Sequence, residues 1–93
     1  MNPEEQIENI IDKESFMKFL EAFISDRESA EALERKDPEK YQWGGANNWQ
    51  NSSISHFLDS SSCFFIDGPH RHEGNEISWK DLANFLYFGK IYE

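Results

Sequence analysis

The chain has 93 residues, 38% of them hydrophobic and 15% aromatic, and its 9 Lys and Arg against 18 Asp and Glu give a formal net charge of −9. That length fits a single domain, residues 1–93, which buries only about 60–65% of its unfolded surface, so large rings must supply much of the core. An acidic surface with no basic run longer than Arg35-Lys36 excludes the counterion-releasing contact that nucleic acids require.

The opening stretch, MNPEEQIENIIDKE, has no basic n-region and no apolar run of signal-peptide length, and the ~18 apolar residues of a membrane span occur nowhere. No membrane partner and a cytoplasmic location are therefore expected, and the single cysteine, Cys63, agrees, since it can form no intramolecular disulfide. Asp12 is placed to cap a first helix over residues 13–25, in which Phe16, Phe19, Leu20, Phe23 and Ile24 repeat at the spacing of one helix face. Ile7, Ile10 and Ile11 precede the cap and are expected to fold back on the core, with Ile11 stapling to Phe16 or Met17. Residues 26–40 are polar but rich in helix formers. They predict a solvated extra helix or an extension of the first, ending near Asp37-Pro38 because the residue before proline is pushed out of the helical region.

Residues 41–53, YQWGGANNWQNSS, hold paired glycines and three asparagines and read as a loop. Tyr41, Trp43 and Trp49 are costly to leave all in water, so at least one should dock on the core. Ser52 or Ser53 then caps a second helix over residues 53–65, with Ile54, Phe57, Leu58, Ser61 and Phe65 along one face. Its weak helix formers predict an end near Asp67-Gly68, and the short apolar run from Cys63 to Asp67 reads equally as a short strand. After the loop DGPHRHEGNE, Ser78 caps a third helix over residues 79–88. Trp79, Leu82, Ala83, Leu86 and Tyr87 form its stripe, and Phe85 and Phe88 lie on the other flank. Gly89 reads as its stop and Lys90 as a charge suited to the helix C-terminus. A helix apolar on two sides is the centre of a bundle or meets a second copy, so a monomer or a weak homodimer through this aromatic helix is expected. The fold class is all-α, a small bundle of three principal helices.

Cys63, His56, His70 and His72 are the only soft ligands near one another, and their spacing is not that of a zinc site. Cys63 reads as a small core hydrophobe. No phosphate loop, nucleophile elbow or zincin motif occurs, so no catalytic residue, cofactor or metal is expected. The other reading is a small-molecule site or enzyme near His56, His70 and His72.

Three pieces stand in order: NWQNSSISHFL at residues 48–58, CFFIDG at 63–68 and SWKDLANFLYFGKIYE at 78–93. That order resembles a family of small single-domain bacterial proteins catalogued as a domain of unknown function. Its members share W-x-N-x-[ST]-[IL]-x-x-[FY]-L and a terminal S-W-x-x-[LF]-A-x-x-L followed by Tyr-Glu. The resemblance implies a compact helical cytosolic domain and brings no activity, cofactor or catalytic residue. Small acidic proteins of this composition are similar to immunity proteins and antitoxins, which leads to the expectation of an interaction module for a basic protein. Tyr41, Trp43 and Trp49 would be its anchors, with Glu28, Glu31 and Glu34 as steering charges.

Overall fold

A computed structural model of the protein describes residues 3–67 and 74–92. The fold is mainly α, in the order α1 (Pro3–Ile7), α2 (Lys13–Lys36), a 3-10 turn (Ala46–Asn48), α3 (Ile54–Asp67) and α4 (Trp79–Ile91). The described residues contain no strand, so the segment at Cys63 is helical.

A reciprocal cap starts α2. The Ser15 backbone N–H donates to Asp12 Oδ1 at 2.9 Å, and Ser15 Oγ accepts from the Asp12 N–H at 3.1 Å. The hydrogen bonds from the backbone and side chain of Ser15 hold the Asp12 carboxyl below its usual range. The polar segment after Ser25 continues the same helix, which ends at Lys36 with Asp37 as C-cap, one residue ahead of Pro38. Phe16, Phe19, Phe23 and Ala30 are buried along one face, and Ile7 and Ile10 close over them. Ile11 does not form the expected staple, because it is 85% exposed. Its N–H donates to Ser15 Oγ at 2.9 Å, which fixes the turn with Ile10 inward and Ile11 outward.

The central element is α4, capped by Ser78 and Asp81 in the same reciprocal manner. It lies between α2 and α3 and also touches α1. Phe16 meets Trp79 and Asp26 meets Lys90, so α4 runs parallel to α2; Phe65 meets Phe85 and Phe57 lies beside Gly89, so it runs antiparallel to α3. Both apolar flanks are used. Leu82, Ala83, Leu86 and Tyr87 join the core over α2, while Phe88 stacks on Phe64 at 4.0 Å and Tyr92 meets the same ring edge-on. Every residue from Lys80 to Tyr92 is buried or half-buried, while Trp79 at the start of the helix is 41% exposed.

Gly89 is not a stop. The helix runs through it to Ile91, and Gly89 is buried where α3 crosses, so close that a Cβ would collide with Ser61 Oγ and lie 2.9 Å from the Phe57 ring. Ser61, fully buried, donates its hydroxyl to the Phe85 carbonyl at 2.9 Å. Small residues on both sides let the two helices approach, so Ser61 and Phe57 of the expected face turn inward while its aliphatic residues stay outside. Ser60, Ser61 and Phe64 are inside, while Ile54 and Leu58 are 80% and 52% exposed. Cys63, expected in the core, is exposed on the outer side of the same helix.

Candidate interaction surface

Asp26 stands at the spacing of Phe19, Phe23 and Ala30, on the apolar face of α2, and a carboxylate there needs partners. It has two. Trp49 Nε1–H donates to Asp26 Oδ2 at 2.9 Å and the Lys90 ammonium bonds the same oxygen at 2.8 Å. The indole lies between two cations, Arg27 at 5.0 Å and Lys90 at 5.3 Å from the ring centroid, and packs on Phe23 and Phe57. Trp49 is only 4% exposed, so this expected anchor is a core residue and not a surface contact. Lys90, read from the sequence as a partner of the helix dipole, is 8% exposed and reaches inward to Asp26. The signal that identifies this cluster is Asp26 itself, the one acid on an otherwise apolar stripe.

The loop from 41 to 53 is fixed at several points. Arg27 pairs with Glu34 at 3.2 and 3.3 Å, and Glu34 also accepts the Ala46 N–H at 3.2 Å. Asn47 and Asn48 adopt left-handed φ values of 54° and 66°, a conformation asparagine tolerates, and the Asn47 amide donates to the Asp26 carbonyl at 3.3 Å. Asn51 Nδ2 donates to the Gly89 and Tyr92 carbonyls at 3.1 and 2.8 Å, while the Gln50 and Asn51 N–H groups reach the Lys90 carbonyl. The loop thus supplies donors to carbonyls at the end of α4 that have no partner within the helix.

Trp43 projects from this pinned loop and is 91% exposed. Tyr41 is half-buried against the core, beside a hollow of about 280 Å³ lined by Leu33, Lys36, Asp37 and Lys40. Of the three expected steering acids, Glu28 is exposed, Glu31 is half-exposed with Arg27 at 3.9 Å, and Glu34 is committed to Arg27 and the loop. The structure therefore gathers Trp43, Tyr41 and Glu34 at the C-terminal half of α2, with Glu31 and Glu28 one and two turns back along it.

The histidine reading finds less. His56 is exposed on the first turn of α3, where its N–H donates to the capping Ser53 Oγ at 3.2 Å. His70 and His72 lie outside the described residues. A polar cleft of about 480 Å³ is lined by Glu4, Asp26, Asn48, Gln50, Tyr87 and Lys90, with no histidine among the described residues. Its charged groups are paired across it, Lys90 with Asp26 and Tyr87 with Glu4. Burial, the nearby Glu4 carboxylate, the hydrogen bond to it and Asp26 push the Tyr87 phenol up to about 12. These contacts tie α1 to α4. Among the described residues no group of three or more His, Cys, Asp or Glu is placed to hold a metal, and no helix is long and apolar enough to cross a membrane.

No known protein family, curated protein or solved structure matches the chain. The residues that carry the motif resemblance have structural work in this fold. Trp49 fills the core, Asn51 clips the loop to α4, Ser53 and Ser78 cap helices, and Ala83 is fully buried.

Proposed function

We propose that the protein is an acidic interaction module, an immunity- or antitoxin-like binder that recognises a basic protein in the cytoplasm and belongs with the small bacterial proteins its motifs resemble. The observation that carries this reading is Trp43. A fully solvated indole on a loop held by Glu34, Trp49 and Asn51 is a pre-organised anchor, since little ordering remains to be done on binding. The net charge of −9 supplies long-range attraction for a basic partner, and Glu28 and Glu31 supply exposed carboxylates on α2. Burial of both flanks of α4 favours a monomer as the binding unit.

The test is affinity capture on immobilised protein from native cytosol at low salt, followed by washes of rising ionic strength. A single basic protein should be retained, released by salt, and lost with Trp43→Ala at an unchanged melting temperature. Retention of acidic or neutral proteins only, or retention indifferent to both salt and Trp43→Ala, refutes the reading.

A further inference from the structure

The apolar stripes of α2 and α3 are wider than the faces α4 covers, and Ile24 and Ile54, one from each helix, border one crevice. On α2 the stripe continues past Phe23 to Ile24, 50% exposed; on α3 it continues past Phe57 to Ile54 and Leu58, 80% and 52% exposed. Phe23 and Phe57 meet at a ring distance of 6.4 Å, and above them a hollow of about 260 Å³ opens between Ile24 and Ile54. A second apolar hollow, lined by Ile77, Trp79 and Leu82, lies at the other end of α4, where Trp79 packs on Phe16 two turns before Phe23.

The borders of this trough are acidic. Glu14, Glu21 and Glu28 recur every seventh residue of α2, all exposed, with Ile24 three residues after Glu21 and four before Glu28, on the same flank. Lys18 lies further round the helix, away from Ile24. Arg27, the one cation lining the hollow, is held by Glu34 and Glu31. An apolar seam flanked by acids at heptad spacing selects a helix with apolar residues on one face and Lys or Arg beside them. A second copy is disfavoured, because it would bring two −9 chains together and set one glutamate row near another.

We propose that the trough between α2 and α3 seats a basic amphipathic helix of the partner, its apolar face on Ile24, Ile54 and Leu58 and its cations along Glu21 and Glu28. This deepens the proposed function and rests on its premise of a basic partner. The probe is a designed Lys/Leu amphipathic peptide, compared with a scrambled peptide of the same composition and with a Glu/Leu counterpart, each titrated into the isotopically labelled protein. The Lys/Leu helix should bind, with amide shifts centred on Ile24, Ile54 and Leu58, and the scrambled and acidic peptides should not. Ile54→Asp, at a solvent-exposed position that leaves the fold intact, should weaken binding at least ~10-fold, the factor expected from losing an apolar anchor of roughly 1.4 kcal/mol. Glu21→Lys with Glu28→Lys should weaken it as well, whereas Trp43→Ala should not.

Equal binding of the scrambled peptide, shifts centred elsewhere, or indifference to Ile54→Asp overturns the proposal. So does a dimer of the protein alone, seen by sedimentation and broken by Ile54→Asp, which would give the trough to a second copy. The two readings fail separately. A native partner lost with Trp43→Ala but retained by Ile54→Asp refutes the trough and leaves the interaction module standing. A peptide seated in the trough, with no basic protein ever captured, supports the trough and refutes the function.

Discussion

Gly89→Ala tests the closest approach in the fold. In an ordinary helix interior this substitution stabilises by about 0.8–1.0 kcal/mol, because alanine lacks glycine's backbone freedom in the unfolded chain. Here the new Cβ collides with Ser61 Oγ and stands 2.9 Å from the Phe57 ring, and Ser61 is fully buried with its hydroxyl bound to the Phe85 carbonyl. Overpacking of a tight site costs about 1–3 kcal/mol, and displacing that hydroxyl costs roughly 0.5–1.5 more. The costs exceed the gain, so the expected net effect is a loss of roughly 1–3 kcal/mol, or a melting point lower by roughly 5–20 °C for a domain of this size. Urea and thermal unfolding followed by far-UV circular dichroism measure it. Adding Ser61→Ala removes the nearest clashing atom, so the double variant should be more stable than the two separate losses predict, by about 0.5 kcal/mol or more. A Gly89→Ala protein as stable as the parent, or more stable by about 1 kcal/mol, would refute the close crossing of α3 and α4.

Asp26→Ala should cost about 3–5 kcal/mol in urea unfolding, because it strands the buried Lys90 ammonium and removes the acceptor of the Trp49 indole; Asp26→Asn, which keeps an acceptor but not the charge, should cost less. Tyr87 gives an alkaline signature. Its phenol is raised from 10.0 to about 12, so above pH 10 the unfolded chain releases this proton while the folded chain holds it. Stability from this group is full below that point and is lost as pH rises through the folded value. The urea midpoint should therefore fall more steeply across the alkaline range in the parent than in Tyr87→Phe, and equal slopes would refute the assignment.

Much of the fold is legible in the sequence because its signals are local. Asp12 and Ser78 announce helix starts through side chains that reach three residues on, and Pro38 announces the end of α2. The central place of α4 follows from rings on two flanks of one helix, which only burial on two sides can satisfy. Apart from Ile11, turned outward by its bond to Ser15, the misreadings are tertiary. Periodicity puts Ile54 and Leu58 on one face with Ser61, and nothing local reveals that Gly89 will draw Ser61 inward and leave the two aliphatics outside. Lys90 likewise looks like a helix-end charge until Asp26, far away in the chain, is seen on the core face.

The two loop tryptophans show how the candidate site divides. Both sit among glycines and asparagines, and residue type alone makes them equivalent. Trp49 has an acceptor for its N–H in Asp26, two cations near its ring and two phenylalanines packed against it, Phe57 stacked and Phe23 tilted. Once it fills that space, one indole closes the loop side of the core and Trp43 is left in water. The same reasoning applies to the aliphatic surplus. Phe57, Ser61 and Phe64 satisfy α4, which leaves Ile54 facing a crevice that α2 borders with Ile24 but does not fill, with Leu58 exposed one turn further along α3. An apolar residue that packing inside the chain does not use costs solubility while it stays exposed. On a chain this acidic, the helix that removes Ile24, Ile54 and Leu58 from water at least electrostatic cost is a basic one.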